Sequence, residues 1–437
     1  MNRSQTSRPV RAVVASTIGA SLEWYDFTLY GLASSLVLGQ VFFPSDSATK
    51  SLLAAFATFG VGFFARPIGG IVFGHFGDRI GRRRILVITL ILMSTSTFCI
   101  GLLPSYQAAG MLGPVLLIIL RILQGLGSGA EYAGATLLAA EYAPVKHRGV
   151  VAAIPPMGSP IGSLIAAAVF GAFATLPTEQ FHSWGWRIPF LLSVVLFGVG
   201  LYIRLQITET PVFRARAERS PGRVGVIELV RHYPIPALKA LMLNAGPNVT
   251  SYLPAAYGVA YLSSNLGMAP TAGTTAMIIA NASSIIVLPI AGAITDRVRR
   301  TYVFVFGAVV AIVMAFPFFS LLDTKNTLLI WVGYILMFAI AGQSLLAAQA
   351  SLLAEQFPTE VRYSGVAVTR EFASAIVGGT LPFVATAMEA VSGGTAGVSI
   401  LTIVIIVIAG IGALLMRDQR GASLNDIARA HANGAGD

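Results

Sequence analysis

Gly74-His75-Phe76-Gly77-Asp78-Arg79-Ile80-Gly81-Arg82-Arg83-Arg84 sets four arginines, one aspartate and three glycines between two long apolar runs. Charges at this density cannot sit in hydrocarbon, so the stretch reads as a short loop at a membrane face. Glycines 74, 77 and 81 allow a tight turn and a close approach of two helix ends. The pattern returns as Gly292-Ala293-Ile294-Thr295-Asp296-Arg297-Val298-Arg299-Arg300, with the same Gly-to-Asp spacing and an offset of 292 − 74 = 218. A second mark agrees: Glu141, Pro144 and Arg148 match Glu355, Pro358 and Arg362 at an offset of 355 − 141 = 214. The chain is a duplicated membrane protein.

Composition supports this. Of 437 residues, 55% are hydrophobic and 11% charged, and the mean hydropathy is +0.76. A soluble domain carries about 25% charged residues, so the depletion excludes an ordinary soluble enzyme. The single cysteine, Cys99, allows no internal disulfide. Apolar runs near the roughly 20 residues of a spanning helix fall at 12–39, 49–74, 85–103, 111–140, 149–175, 187–208, 236–264, 271–294, 301–322, 327–354, 363–389 and 395–416. The reading is an all-α polytopic membrane protein with twelve transmembrane helices. It divides into a tail (1–11), a first six-helix half (12–208), a polar linker (209–235), a second half (236–416) and a C-terminal tail (417–437).

The net charge of +10 raises nucleic-acid binding as a thought, but its distribution excludes it. Three basic residues (Lys50, Arg187, Lys325) fall on one side of the expected membrane and three (Arg66, Arg121, Arg370) inside spans, leaving 29 − 3 − 3 = 23 on the other side. That asymmetry predicts both termini in the cytoplasm. The bilayer is thus an expected partner, and the expected location is a bacterial-type cytoplasmic (inner) membrane. Two six-helix halves predict a midplane site between them and alternating access by rocking.

The loop at 74–84, Arg121-Ile122-Leu123-Gln124-Gly125 and the repeated loop resemble the major facilitator superfamily. Further stretches are similar to its metabolite:proton symporters: Glu23-Trp24-Tyr25-Asp26-Phe27, Phe64-Ala65-Arg66-Pro67-Ile68-Gly69-Gly70, Gly129-Ala130-Glu131-Tyr132-Ala133-Gly134, Trp184-Gly185-Trp186-Arg187-Ile188-Pro189-Phe190, Glu209-Thr210-Pro211 and Phe357-Pro358-Thr359-Glu360-Val361-Arg362-Tyr363. The resemblance spans nearly the whole chain and implies the major facilitator fold. It also implies proton-driven import of organic acids or zwitterions such as oxoglutarate, citrate, shikimate, proline and betaine. The short C-terminal tail has no heptads, which counts against an osmosensing coiled coil.

An ionisable side chain at mid-bilayer costs about 2.5–3.5 kcal/mol on insertion scales, so each needs a partner or a wet cavity. Glu23 and Asp26 share one face of the first span, with Tyr30 a turn further. Two close carboxylates repel, which favours proton binding by one of them. Arg121, Gln124, Ser128 and Tyr132 form one stripe of the fourth span. Asp26 and Arg121 are expected to form a switchable proton-coupling pair, with a fixed salt bridge as the alternative. Glu131, about 15 Å further along that helix, is read equally as a coupling or a structural residue.

In the second half, Asn244, Asn248, Ser251 and Tyr252 make a polar stripe, and Gln343 and Gln349 add amides; solute contact and interhelical glue are both open readings. Arg370 and Glu371 lie near one end of the eleventh span, on different faces. Arg370 is expected either to hold a solute carboxylate with its planar fork or to make an internal salt bridge. Arg66 is read as structural. The expected solute-binding set is therefore Tyr30, Gln124, Ser128, Asn248, Tyr252, Gln343, Arg370 and Glu371. Gly74, Asp78, Arg79, Gly81, Arg82, Arg83, Glu141, Arg148, Asp296 and Arg297 read as a two-state conformational latch. His75 and His182 read as solvated surface groups.

The residues show no metal-spaced His/Cys cluster, phosphate loop or nucleophile triad, so no enzyme, cofactor or metal is expected. The lead reading is a monomeric secondary transporter that imports a small organic carboxylate, or a zwitterion, with protons. The alternatives are an exchanger or exporter of a similar solute, or a non-transporting membrane sensor.

Overall fold

Each apolar run must satisfy its own backbone within the bilayer, and a helix is the structure that does so. The computed structural model describes residues 3–80, 82–129, 148–206, 229, 231–357 and 361–416. The described residues form twelve helical rods. In chain order they are α1 (Arg3–Ala33), α2 (Ala48–Ile80), α3 (Arg82–Leu102), α4 (Leu112–Ser128), α5 (Gly158–Phe173, preceded by Arg148–Ala153) and α6 (Arg187–Gln206). The second six are α7 (Pro234–Tyr252), α8 (Pro270–Arg297), α9 (Arg300–Asp323), α10 (Gln343–Gln356, preceded by Thr327–Tyr334), α11 (Arg362–Ala373, followed by Leu381–Ser392) and α12 (Ala396–Leu414). Helix α1 begins at Arg3, so it reaches well into the segment expected as a tail. The expected linker at 209–235 and the tail at 417–437 lie almost wholly outside the described residues.

Seven of these rods are long and apolar enough to cross a membrane on their own, and a bent pair over residues 178–202 makes an eighth. The remainder fall short for a physical reason. Helix α1 carries Glu23 and Asp26, α7 carries Asn244 and Asn248, and the apolar parts of α3 and α4 are short, Val87–Leu102 and Leu112–Ser128. The rods least able to face lipid include those that carry the site.

Within the first six, α1 packs on α5, α2 on α4, and α3 on both α4 and α6; within the second six, α7 packs on α12, and α9 on α10 and α12. The two groups meet along α5 with α8 and along α2 with α11. Glycine makes the tightest of these contacts possible. At Gly125 any Cβ would overlap the Gly62 carbonyl oxygen, whereas Gly198 has open space around it.

The duplication is visible in where the rods break. Helix α1 continues through a π-helical turn at Ser34–Leu38 and α7 through one at Leu253–Gly258, an offset of 253 − 34 = 219. A 3-10 turn at Pro155–Met157 precedes α5, and a π turn at Ser374–Gly378 interrupts the eleventh rod, an offset of 374 − 155 = 219. The first two π turns touch: Ser35 Oγ donates to Gly31 O (2.7 Å) and lies 2.9 Å from Ala256 O across the two groups. Such turns free backbone groups and concentrate at functional places. At the opposite end, Asp296 Oδ2 accepts from Val150 N at 3.1 Å, at the first turn of the helix that starts at Arg148. A carboxylate is favoured there by the unsatisfied N–H groups and the helix dipole.

Gly125→Ala is expected to cost about 1–3 kcal/mol by overpacking. Thermal unfolding of the purified protein should show a drop of several degrees relative to a Gly198→Ala control, and equal midpoints would contradict the close α2–α4 approach.

Candidate functional site

Helix α1 directs one stripe into the space between the halves. Trp24, Phe27, Thr28 and Gly31, at i, i+3, i+4 and i+7, line a cavity with Phe59, Ser163, Ser251, Tyr252, Ala255, Ala256, Met277 and Phe338. Both halves contribute, which is where a transporter of this architecture holds its solute. The free volume is ≈ 10 Å³, about what one water molecule needs, so the conformation is nearly closed around its centre. The walls are aromatic. Trp24 stacks on Tyr252 across the halves at 5.8 Å with an 11° interplanar angle, and Phe59 and Phe63 meet Tyr252 edge-on. Thr28 Oγ1 and Ser163 Oγ share a hydrogen bond of 2.7 Å.

Six buried charges lie around this chamber: Glu23, Asp26, Arg66, Arg121, Arg370 and Glu371, none more than 8% exposed. Arg66 is the hub. Its Nη2 pairs with Glu23 Oε1, its Nε donates to Glu371 Oε2 at 2.6 Å, and its guanidinium lies 4.6 Å from the centroid of Phe27. Glu371 also accepts from its neighbour Arg370, Nη1 to Oε1 at 3.1 Å. The sequence reading put Arg370 and Glu371 on different faces; the long arginine side chain closes that gap around the helix.

Arg121 occupies a second position. Its Nη1 donates to Gln124 Oε1 (2.5 Å), its Nη2 to Phe59 O (2.9 Å) and its Nε to Thr58 O (3.4 Å). It also lies over the Tyr30 ring at 3.9 Å. No direct ion pair joins Asp26 to Arg121, whose guanidinium is instead oriented by two backbone carbonyls and Gln124. Asp26 lies instead among Thr97, Gln124, Arg121 and Glu23, within electrostatic reach of both charges. Gln124 Nε2 donates to Thr97 Oγ1 at 2.8 Å, and Tyr30 Oη bonds Thr58 Oγ1 at 2.6 Å. Phe27 separates the two arginines, 4.6 Å from Arg66 and 5.5 Å from Arg121.

The other expected residues fall as follows. Ser128 bonds its own helix at Gly125 O. Asn248 Nδ2 donates to Asn244 O at 2.8 Å, and Asn244 pairs with Gln349. Gln343 is buried, and its Oε1, like Glu23 Oε2, has no hydrogen-bond partner among the described residues. Gly81, Glu131, Tyr132 and Glu141, and the side chains of Asp78, Arg79, Arg82, Arg83 and Arg148, lie outside the described residues, while Gly74 lies in α2. Arg297 is exposed. Arg300, its neighbour in the repeated loop, forms a buried ion pair with Glu355. Among the described residues no cluster of His, Cys, Asp and Glu could hold a metal.

Trp24, Phe27, Thr28, Phe59, Ser163, Met277 and Phe338 were not expected in the site. Apolar residues in an apolar span look like lipid-facing ones. The signal available was the helical stripe at 24, 27, 28 and 31, next to the one carrying Glu23 and Asp26.

This architecture is that of a membrane transporter. A family model described as Major Facilitator Superfamily matches residues 16–382. The chain is 36% identical over 421 residues to a shikimate transporter of Escherichia coli K12, covering 95% of this chain and 96% of that protein. It is 36% identical over 386 residues to a proline/betaine transporter of the same organism, covering 86% and 77%. Among solved structures, the proton:xylose symporter XylE, with 6-bromo-6-deoxy-D-glucose bound, superposes with a TM-score of 0.76 at 18% identity over 97% of this chain and 99% of that one. The chain belongs to the major facilitator superfamily. It is a multipass membrane transporter and not an enzyme.

Arg66→Ala would strand the buried Glu23 carboxylate and leave Glu371 with Arg370 alone, at an expected cost of about 3–5 kcal/mol. Thermal unfolding should show that loss largely recovered when Glu23→Gln and Glu371→Gln are added. A triple variant no more stable than the single one would separate Arg66 from the two acids.

Proposed function

We propose that this transporter imports a small organic carboxylate together with protons by alternating access. The observation that carries the reading is the charge balance at the chamber: three acids (Glu23, Asp26, Glu371) beside three arginines (Arg66, Arg121, Arg370), all buried. A solute carboxylate entering that neutral set would add an uncompensated charge in a low-dielectric place, and one bound proton cancels it. The same proton answers the membrane potential, which opposes entry of an anion by about 2.3 kcal/mol per charge per 100 mV. The solutes named for the relatives above (shikimate, proline and betaine) share a carboxylate.

Asp26 is the favoured proton carrier. It lacks a direct cationic partner, and Arg121 and Glu23 both bear on it electrostatically. Trp24, Phe27, Tyr252 and Phe338 provide the apolar walls that enclose the solute's body, and Gln343 offers an unpaired amide oxygen. Asn248 is one turn from Tyr252 on the same helix. The 74–84 and 292–300 segments, expected as loops, are mostly helical, at the ends of α2 and α3 and of α8 and α9; they act as the latch, on the strength of the Asp296–Val150 contact between halves. The excess of basic residues at that end supports a cytoplasmic position for it and for both termini, in a bacterial inner membrane. A monomer suffices, since both halves of the site lie on one chain.

Radiolabelled shikimate, proline, betaine and small mono- and dicarboxylates, offered to proteoliposomes with an inward pH gradient of one unit, test this. One coupled proton per monoanion gives about tenfold accumulation. Uncoupler, or Asp26→Asn, should reduce this to equilibration. Accumulation insensitive to both would remove Asp26 from the mechanism and indicate exchange; no movement of any solute would favour a sensor.

A further inference from the structure

Arg66 lies behind the chamber wall. Its guanidinium packs on Phe27 and is in electrostatic reach of Tyr252, and both rings line the cavity. Along α2 it stands seven residues from Phe59, roughly 10 Å toward the basic end. All its neighbours in this ion cluster are buried, and the bond to Glu371 joins the first half to the second.

We infer that Arg66 is a subsite for the solute's carboxylate, and that Glu371 is a tethered carboxylate which fills that subsite in the solute-free protein. The inference rests on the carboxylate reading above. Three features support it. Glu371 approaches Arg66 as an external carboxylate would, with Oε2 2.6 Å from Nε and Oε1 3.5 Å from Nη2, one edge of a planar fork receiving both oxygens. Arg66 therefore already displays the geometry that recognises the ligand group.

Secondly, Glu371 has another place to go. Arg370 Nη1 is 3.1 Å from its Oε1, so Glu371 keeps a cation when it leaves Arg66. Leaving does not strand a buried charge, which is what makes the swap affordable in hydrocarbon. Thirdly, Arg66 keeps Glu23 throughout, and Glu23 Oε2 has no hydrogen-bond partner among the described residues. An ammonium or hydroxyl donor on a solute held at Arg66 would find that oxygen available. Tyr252 lies within reach of all four charges and stacks on Trp24, so displacement of Glu371 is felt at the cavity wall.

Exchange of one carboxylate for another then has a mechanical consequence. With Glu371 on Arg66, α11 is tied to α2. With the solute on Arg66, that tie is cut and Glu371 rests on its own helix. Solute binding would itself release a bond between the halves, which gives the bound and empty proteins different preferences for the closed state.

The sign of one variant separates this from a structural role. A tethered competitor reduces apparent affinity by the fraction of time the subsite is free. Removing it by Glu371→Gln should therefore tighten equilibrium binding of shikimate, proline or betaine to the purified full chain about tenfold or more, while the methyl esters of the same compounds gain nothing. Uptake by the variant should slow at the same time, since the tie that resets the empty protein is gone. Arg66→Lys keeps the charge without the fork and should weaken binding of the carboxylates about tenfold. If Glu371→Gln leaves carboxylate binding unchanged or weakens it, or tightens the esters equally, the subsite assignment is wrong and the carboxylate reading stands. If neither the natural chain nor either variant binds any carboxylate in the panel, the carboxylate reading falls and takes the subsite with it. Should Glu371→Gln not fold, the Arg66→Lys result decides alone.

Discussion

Charge burial in hydrocarbon is the constraint from which the rest follows. Six titratable side chains lie around the chamber of this bundle, and each must find compensation within the protein because lipid offers none. The chain meets this by grouping them. Arg66 holds Glu23 and Glu371, Glu371 also holds Arg370, and Arg121 spends its donors on two carbonyl oxygens and Gln124. Helix packing is arranged to permit it. Gly62 lies against the Arg121 guanidinium, where any Cβ would overlap it. The aromatic rings serve the same end, with Phe27 between the two arginines giving each a π face while keeping the like charges apart.

Duplication explains where this cluster sits. A six-helix unit with one polar face cannot bury that face alone, and two copies facing each other bury both. The breaks at matching offsets, 34–38 with 253–258 and 155–157 with 374–378, show that the copies keep a common backbone plan after their side chains have diverged. Equivalent turns then do unlike work. The turns in the first and seventh rods meet through Ser35 and Ala256 and close the chamber at one end, while the turn after α11 follows directly on the Arg370–Glu371 pair.

Much of this was legible in the residues. Hydropathy and the repeated Gly-to-Asp motif are properties of whole segments, so the twelve-helix fold could be read directly. The intramembrane acids and arginines stood out because they violate the local composition. What could not be read was partnership. Asp26 and Arg121 reach similar depth, which suggested a direct pair, but depth does not reveal that the Thr58 and Phe59 carbonyls compete for the same guanidinium. Arg66 reads as structural because its motif resembles one in relatives with unlike solutes, and its partner Glu371 is 305 positions away, a contact that no periodicity reports. The aromatic wall was hidden for the opposite reason, since Trp24 and Phe27 agree with their apolar surroundings.

The distribution of the six charges between the halves bears on how such a protein can move at all. The first half contributes Glu23, Asp26, Arg66 and Arg121, and the second Arg370 and Glu371, so each half's share of the six carries as many acids as arginines. A rocking transporter must part its halves once per cycle, and any ion pair across the interface is then broken within a low-dielectric interior. Were one half cationic and the other anionic, that step would expose uncompensated charge and cost several kcal/mol per ion. Here the cross-interface bond from Arg66 to Glu371 can dissolve into two pairs internal to the halves, Arg66 with Glu23 and Glu371 with Arg370. At the other end of the interface, Asp296 accepts the Val150 N–H across the two halves. The central ionic bond across the interface is therefore one whose loss leaves a paired charge on each side, which lets a structure with six charges around its chamber retain two accessible arrangements.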